Sequence, residues 1–163
     1  MNNLSYLVAI LFTFVSPLSQ AQSVFNVLEE IDFGTIFFKQ GICDMDPASG
    51  DLSNVTGVNL CAMSAKGTVG RYVITTEPNK MVTVKLIQRN SDGDGLVFIP
   101  AGHISSISED MEVPADIEID ISSGSTGVVR LYLGGRLQVM QDLEPSSNYS
   151  FSQPVGIEWS VAL

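Results

Sequence analysis

The chain has 163 residues and a formal net charge of −10, from 18 acidic against 8 basic side chains. A surface this acidic repels nucleic-acid phosphates and anionic lipid, which argues against both as partners. Hydrophobic residues make up 45% of the chain, which argues against disorder and for a packed core.

The N-terminus reads as a secretory signal peptide. An apolar run from Leu4 to Val15 has the length of an h-region and falls short of the ~20 residues needed to span a bilayer. Pro17 breaks the run, and Ser19 and Ala21 put small residues at −3 and −1, so cleavage is expected between Ala21 and Gln22. Met1, Asn2 and Asn3 supply no Lys or Arg; the alternative is an anchor that stays attached. Residues 1–21 carry no charged side chain, so the acidity belongs entirely to the mature protein. What remains is roughly 140 residues, an ordinary size for one domain. The expected organisation is a signal peptide over 1–21, an N-terminal extension over 22–30 and one β-domain over 31–163.

Beyond the extension, alternation with period two recurs and helical spacing does not. Arg71 to Thr76 reads as a strand, Glu77 to Lys80 as a turn, and Met81 to Ile87 as a second strand with Val82, Val84 and Leu86 on one face. The pair reads as a hairpin. Asn90 to Gly95 is a turn leading into Leu96 to Ile99. Asp116 to Ile121 places Ile117, Ile119 and Ile121 inward and acids outward. Val128 to Leu133 is expected to end at Gly134-Gly135, with Arg136 to Met140 pairing back. Glu144 to Asn148 turns, and Val155 to Val161 closes the chain with Val155, Ile157, Trp159 and Val161 on one face. Short strands separated by frequent turns predict an all-β sandwich. The stretch from Cys43 to Lys66 reads as a long loop.

Cys43 and Cys61 are the only cysteines. In an exported chain they most simply form one disulfide, worth about 3 kcal/mol by loop entropy. Two thiols and the single His103 do not make a zinc site. Asn90, Asp92 and Asp94 resemble the opening of a calcium loop, but Ala101 stands where the pattern demands a bidentate Glu. His103 reads as a surface loop residue with no nucleophile signature nearby. Glu118 and Asp120 read as a solvated face, and Glu109, Asp110 and Glu112 as an exposed acidic loop. No catalytic residue, cofactor or small-molecule substrate is expected, and the chain does not read as an enzyme.

Three stretches taken in order resemble a known family. They are Ile31 to Ile36; the block from Gly70 to Leu86; and Leu131 to Val139, continuing through Pro145 and Tyr149 to the closing strand. Together they resemble the DUF4402 family of secreted bacterial domains, similar to spore coat U-type subunits of archaic chaperone–usher pili. The chain departs from that pattern at Ser146, Ser147 and Ser150, where the family commonly has glycine. The resemblance implies an immunoglobulin-like β-sandwich that lacks a strand and is completed by a neighbour's N-terminal extension. It further implies export through the periplasm to a cell-surface fimbria, with copies of itself or related subunits, a periplasmic chaperone and an outer-membrane usher as partners.

The expected donor strand is Gln22 to Glu30, with Phe25 and Val27 on one face and Val24 and Leu28 on the other. Nine extended residues reach about 30 Å, enough to line a groove. The alternative is that the segment extends the domain's own first strand into Ile31 and Phe33; the pattern alone does not separate the two. The rival function is a self-complete secreted binding module or tip adhesin, recognising ligand through the Cys43–Cys61 loop. That loop lacks the Trp, Tyr or Arg an anchor would use.

Overall fold

The structure, a computed structural model, describes residues 22–34, 36–37, 39–57, 60–61, 66–90, 95–143 and 156–162. Among these residues eleven strands appear in chain order: β1 Val24–Glu29, β2 Gly41–Met45, β3 Leu52–Gly57, β4 Gly70–Thr75, β5 Met81–Leu86 and β6 Arg89–Asn90, then β7 Leu96–Ser105, β8 Asp110–Pro114, β9 Glu118–Ser122, β10 Val128–Val139 and β11 Ile157–Val161. Helix among the described residues amounts to one 3-10 turn, Gly124–Thr126. The strands form two antiparallel sheets, one of eight strands and one of three in the order β11-β5-β9. The all-β sandwich expected from the alternation is the fold observed.

The spine of the larger sheet is β10. Along one side it pairs first with β4 and then with β2; along the other it pairs with the whole of β7. Gly134-Gly135 is therefore not the expected turn but the midpoint of one continuous strand, where the partner changes from β4 to β2. Glycine is needed there for close approach: a Cβ on Gly134 would lie 2.6 Å from the Met45 carbonyl oxygen and 2.8 Å from the Pro47 nitrogen. Backbone crowding, rather than chain reversal, is what this pair records. Pro100 likewise does not end its strand. It falls between the stretches of β7 paired with β6 and with β8, so its missing N–H interrupts neither ladder.

The segment joining β4 and β5 is also not a hairpin loop. β4 lies in the large sheet and β5 in the small one, so residues 76–80 cross the sandwich. They are tied to the loop before β10: Thr76 N donates to the Gly127 carbonyl at 2.8 Å, and Asn79 N to the Gly124 carbonyl at 2.8 Å. Crossing lets both apolar faces bury against each other. Val82, Val84 and Leu86 of β5 share a core with Tyr72 and Ile74 of β4, Val129, Leu131 and Leu133 of β10, and Ile104, Val113 and Ile121. Each fully buried aliphatic side chain of this kind is worth about 1.5–3 kcal/mol.

Other boundaries move for local reasons. Asp116 adopts a positive φ of 61°, so β9 starts at Glu118 and leaves Ile117 exposed, while Ile121 is fully buried. The described residues between Ile31 and Ile36 belong to no strand; Asp32 bridges to Thr68 and Ile36 to Cys61. Part of the expected Cys43–Lys66 loop is an antiparallel hairpin, β2 with β3. Its turn is built by Asp46, whose carboxylate accepts from the amides of Ala48 and Ser49 at 2.8 Å each. A second small core lies beneath this hairpin, formed by Cys43, Leu60, Cys61, Leu96, Leu137, Val139 and Leu143. Residues 1–21, which include the expected signal peptide, lie outside the described residues, as do 91–94 and 144–155.

Candidate functional site

The sandwich has one edge where its two sheets meet through aromatic side chains, and the N-terminal strand forms it. β1 lies at the end of the large sheet, paired among the described residues with β4 alone, in the register Val24–Thr75, Phe25–Ile74, Asn26–Val73, Val27–Tyr72 and Glu29–Arg71. The register shifts after Val27, so Leu28 has no partner on β4 and forms a bulge. Within a single chain, the candidate donor residues thus occupy the domain's own sheet.

Phe25 holds this strand. Its ring stacks on Tyr72 at 5.6 Å between centroids and on Trp159 of β11 at 5.9 Å, bridging the two sheets. Two polar contacts flank the stack. Ser23 Oγ lies 2.9 Å from Thr76 Oγ1, and Glu29 meets Arg71 at 3.4 Å in an exposed pair of small energetic value. The rest of β1 covers little. Val24 is 45% exposed, Val27 48% and Leu28 67%, so main-chain bonds and one aromatic side chain hold the strand in place.

Tyr72 forms the floor of the seat. Burial pushes its phenol up to about 12, with the Glu30 charge adding to the effect. The Ile31 backbone, nearby but outside bonding geometry, acts the other way. At neutral pH the ring is an uncharged stacking surface. Trp159 was legible as an inward residue of the closing strand, and Tyr72 lies in the β4 alternation. What sequence reasoning missed is that both converge on Phe25, because neither periodicity nor spacing reports which sheet edges meet.

The remaining candidates lie elsewhere. Cys43 and Cys61 are joined as a disulfide and fully buried in the second core. Gln22 is exposed ahead of β1, and Ala21 lies outside the described residues. His103 is on β7 rather than in a loop, with Nε2 2.8 Å from Asp110 Oδ1. Glu109 is no free loop acid: it accepts from the Ser122 amide at 2.8 Å. Asp92 and Asp94 of the calcium-like stretch lie outside the described residues. Among those described, no group of three or more His, Cys, Asp or Glu is placed to hold a metal ion.

A trough of about 580 Å³ crosses the outer face of the large sheet, between the β2–β3 turn and Ile99, Ala101 and Pro114. Its acids are already engaged. Asp44 takes a bidentate pair from Arg136 at 2.7 and 3.0 Å, Asp51 pairs with Lys66 at 3.1 Å, and Asp46 holds its turn. The lining contains no His or Cys. No family model, curated protein or solved structure matches the chain.

Chemically, the β1 seat consists of main-chain hydrogen-bonding groups on β4 and the aromatic faces of Tyr72 and Trp159. Removing β1 would open the main-chain edge of β4 and an aromatic pocket between Tyr72 and Trp159. Such a seat binds an extended segment by main-chain bonds and reads it through alternate side chains.

Proposed function

We propose that the protein is a structural subunit of a bacterial cell-surface fimbria, polymerising head-to-tail by exchange of its N-terminal strand. The observation that carries this reading is the attachment of β1: an edge position, one aromatic anchor and three largely exposed apolar side chains. A strand held this way takes little of the core with it when it leaves, and the same segment of a neighbour satisfies the vacated β4 edge and aromatic pocket. Each subunit then receives one strand and donates one, and a contact of this heterologous kind extends into a filament. The resemblance to DUF4402 domains and spore coat U-type subunits points the same way. It supplies the expected periplasmic chaperone and outer-membrane usher, which would cover the open groove before assembly.

The route to the surface follows from the same reading, with residues 1–21 removed on export. A disulfide fits an oxidising compartment, and among the described residues no helix is long and apolar enough to cross a membrane. One observation favours the alternative of a self-complete secreted module or tip adhesin: β1 already pairs with β4 of its own chain.

Material sheared from producing cells, run on a denaturing gel with and without boiling, decides between them. Exchange gives a ladder that collapses to one band on boiling and disappears when residues 22–30 are deleted. A single band in both lanes rejects polymerisation, and a ladder surviving the deletion rejects β1 as the donor.

A further inference from the structure

β1 has a second edge, facing away from β4, and no strand covers it among the described residues. Uncovered edges invite pairing with another chain, and proteins usually block them with charge, proline or brevity. The other edges here carry such blocks. β8 has Asp110, Glu112 and Pro114; β9 has Glu118 and Asp120; β11 has Glu158; β6 is two residues long. β3 is flanked by the Asp51–Lys66 bridge and by Asn54, which bonds the Cys61 backbone at 2.8 Å. β1 carries one acid at its end, Glu29, and a bulge at Leu28; from Val24 to Leu28 it has no charge and no proline, so most of its length is unblocked.

The same five residues are self-complementary. Reversed about Asn26, they set Val24 against Leu28 and Phe25 against Val27 of a second copy, with the two Asn26 amides facing each other. The flanks match as well: Glu29 falls opposite Ser23 and Glu30 opposite Gln22, so no acid meets an acid. If cleavage follows Ala21, the free α-amino group of Gln22 stands across from Glu30 of the other copy. We propose that the outer edge of β1 is a docking surface for a second copy of this chain, paired antiparallel about a two-fold axis at Asn26.

A two-fold contact closes after two copies, so it joins subunits side by side instead of lengthening a chain. It uses the edge that β4 does not, and is therefore the same whether β1 comes from its own chain or from a neighbour. One such contact is far smaller than the roughly 1,200–2,000 Å² of a stable interface and is weak alone. Repeated along a filament (this step rests on the proposed function), many weak contacts bind jointly and bundle neighbouring fibres.

The test is sedimentation equilibrium of the monomeric fraction of the mature protein over a range of concentrations. Wild type is expected to dimerise reversibly. The double variant Val24→Lys/Leu28→Lys sets like charges opposite each other and weakens association by about tenfold or more. Val24→Lys/Leu28→Glu sets opposite charges in the same positions and restores it. Trp159 emission, read in parallel, reports that β1 is still seated on β4. The proposal is overturned if wild type stays monomeric throughout, if the Lys/Lys variant associates as wild type does, or if Lys/Glu brings no recovery. The boiling-sensitive ladder is a separate readout, and its absence counts against strand exchange alone.

Discussion

Phe25 lies between Tyr72 and Trp159, and Trp159 is the chain's one tryptophan, so its emission reports on this contact. Phe25→Ala should shift that emission to longer wavelength and lower stability by about 1–3 kcal/mol, less than for a fully buried aromatic because Phe25 is only half-buried. Urea unfolding followed at Trp159 measures both. If neither changes, the stack does not anchor β1. A second residue-scale effect concerns acid. The Ser49 and Ala48 amides hold the Asp46 carboxyl below its ordinary 3.8, and Lys39, with the Gln40 amide, does the same for Asp142. A depressed folded-state pKa stabilises the fold fully above the unfolded value, and that stability is lost as pH falls through the folded one. Stability should therefore drop below about pH 4, and Asp46→Asn should flatten that limb while lowering the neutral-pH plateau. Thermal melts between about pH 2 and 7 test this.

At the scale of elements, β10 carries the clearest lesson about what the sequence reveals. Its alternation was legible on both sides of Gly134-Gly135, and so were the strand character of β4, β5, β9 and β11 and the buried rows they contribute. The break was misread because a glycine pair marks either a reversal or a close backbone approach, and only the neighbouring strands decide which. Likewise, residues 77–80 have turn chemistry, yet whether a turn returns to the same sheet depends on core faces assembled from distant strands. The candidate strand was legible as an alternating apolar segment, but its seat was not, since Tyr72 and Trp159 are far apart in sequence. Gly135 makes the close-approach reading testable. Its φ is 124°, and a Cβ there would lie 2.7 Å from the Ala101 nitrogen and 2.9 Å from the Pro100 Cα. All the obstructing atoms are backbone, so no side chain can yield. Gly135→Ala should cost about 2–4 kcal/mol, read as a lower melting temperature by circular dichroism. Wild-type stability in that variant would mean the strand is not continuous there.

For the whole molecule, the question is how separable β1 is from the remaining sandwich. The main core draws on β4, β5, β7, β8, β9, β10 and β11, with Phe25 only packed against it, and the second core draws on β2, β7 and β10 without β1. Little buried apolar area would leave with the strand. What deletion exposes is the β4 main-chain edge and the Tyr72–Trp159 pocket, both ready for an extended segment of matching length. A variant lacking residues 22–30 should therefore fold with red-shifted Trp159 emission, and a synthetic peptide of Gln22 to Glu30 should restore the wild-type spectrum on binding. The same peptide with Ala in place of Phe25 should bind at least about tenfold more weakly, because it keeps the main-chain bonds but loses the anchor that bridges the sheets. Exchange between subunits needs this separability: a strand that is recognised by sequence, yet carries too little of the core for its departure to unfold the domain. A deletion variant that unfolds outright would make β1 integral to the sandwich and remove the physical basis for exchange. One that folds but ignores the peptide would locate the groove's specificity elsewhere along the β4 edge.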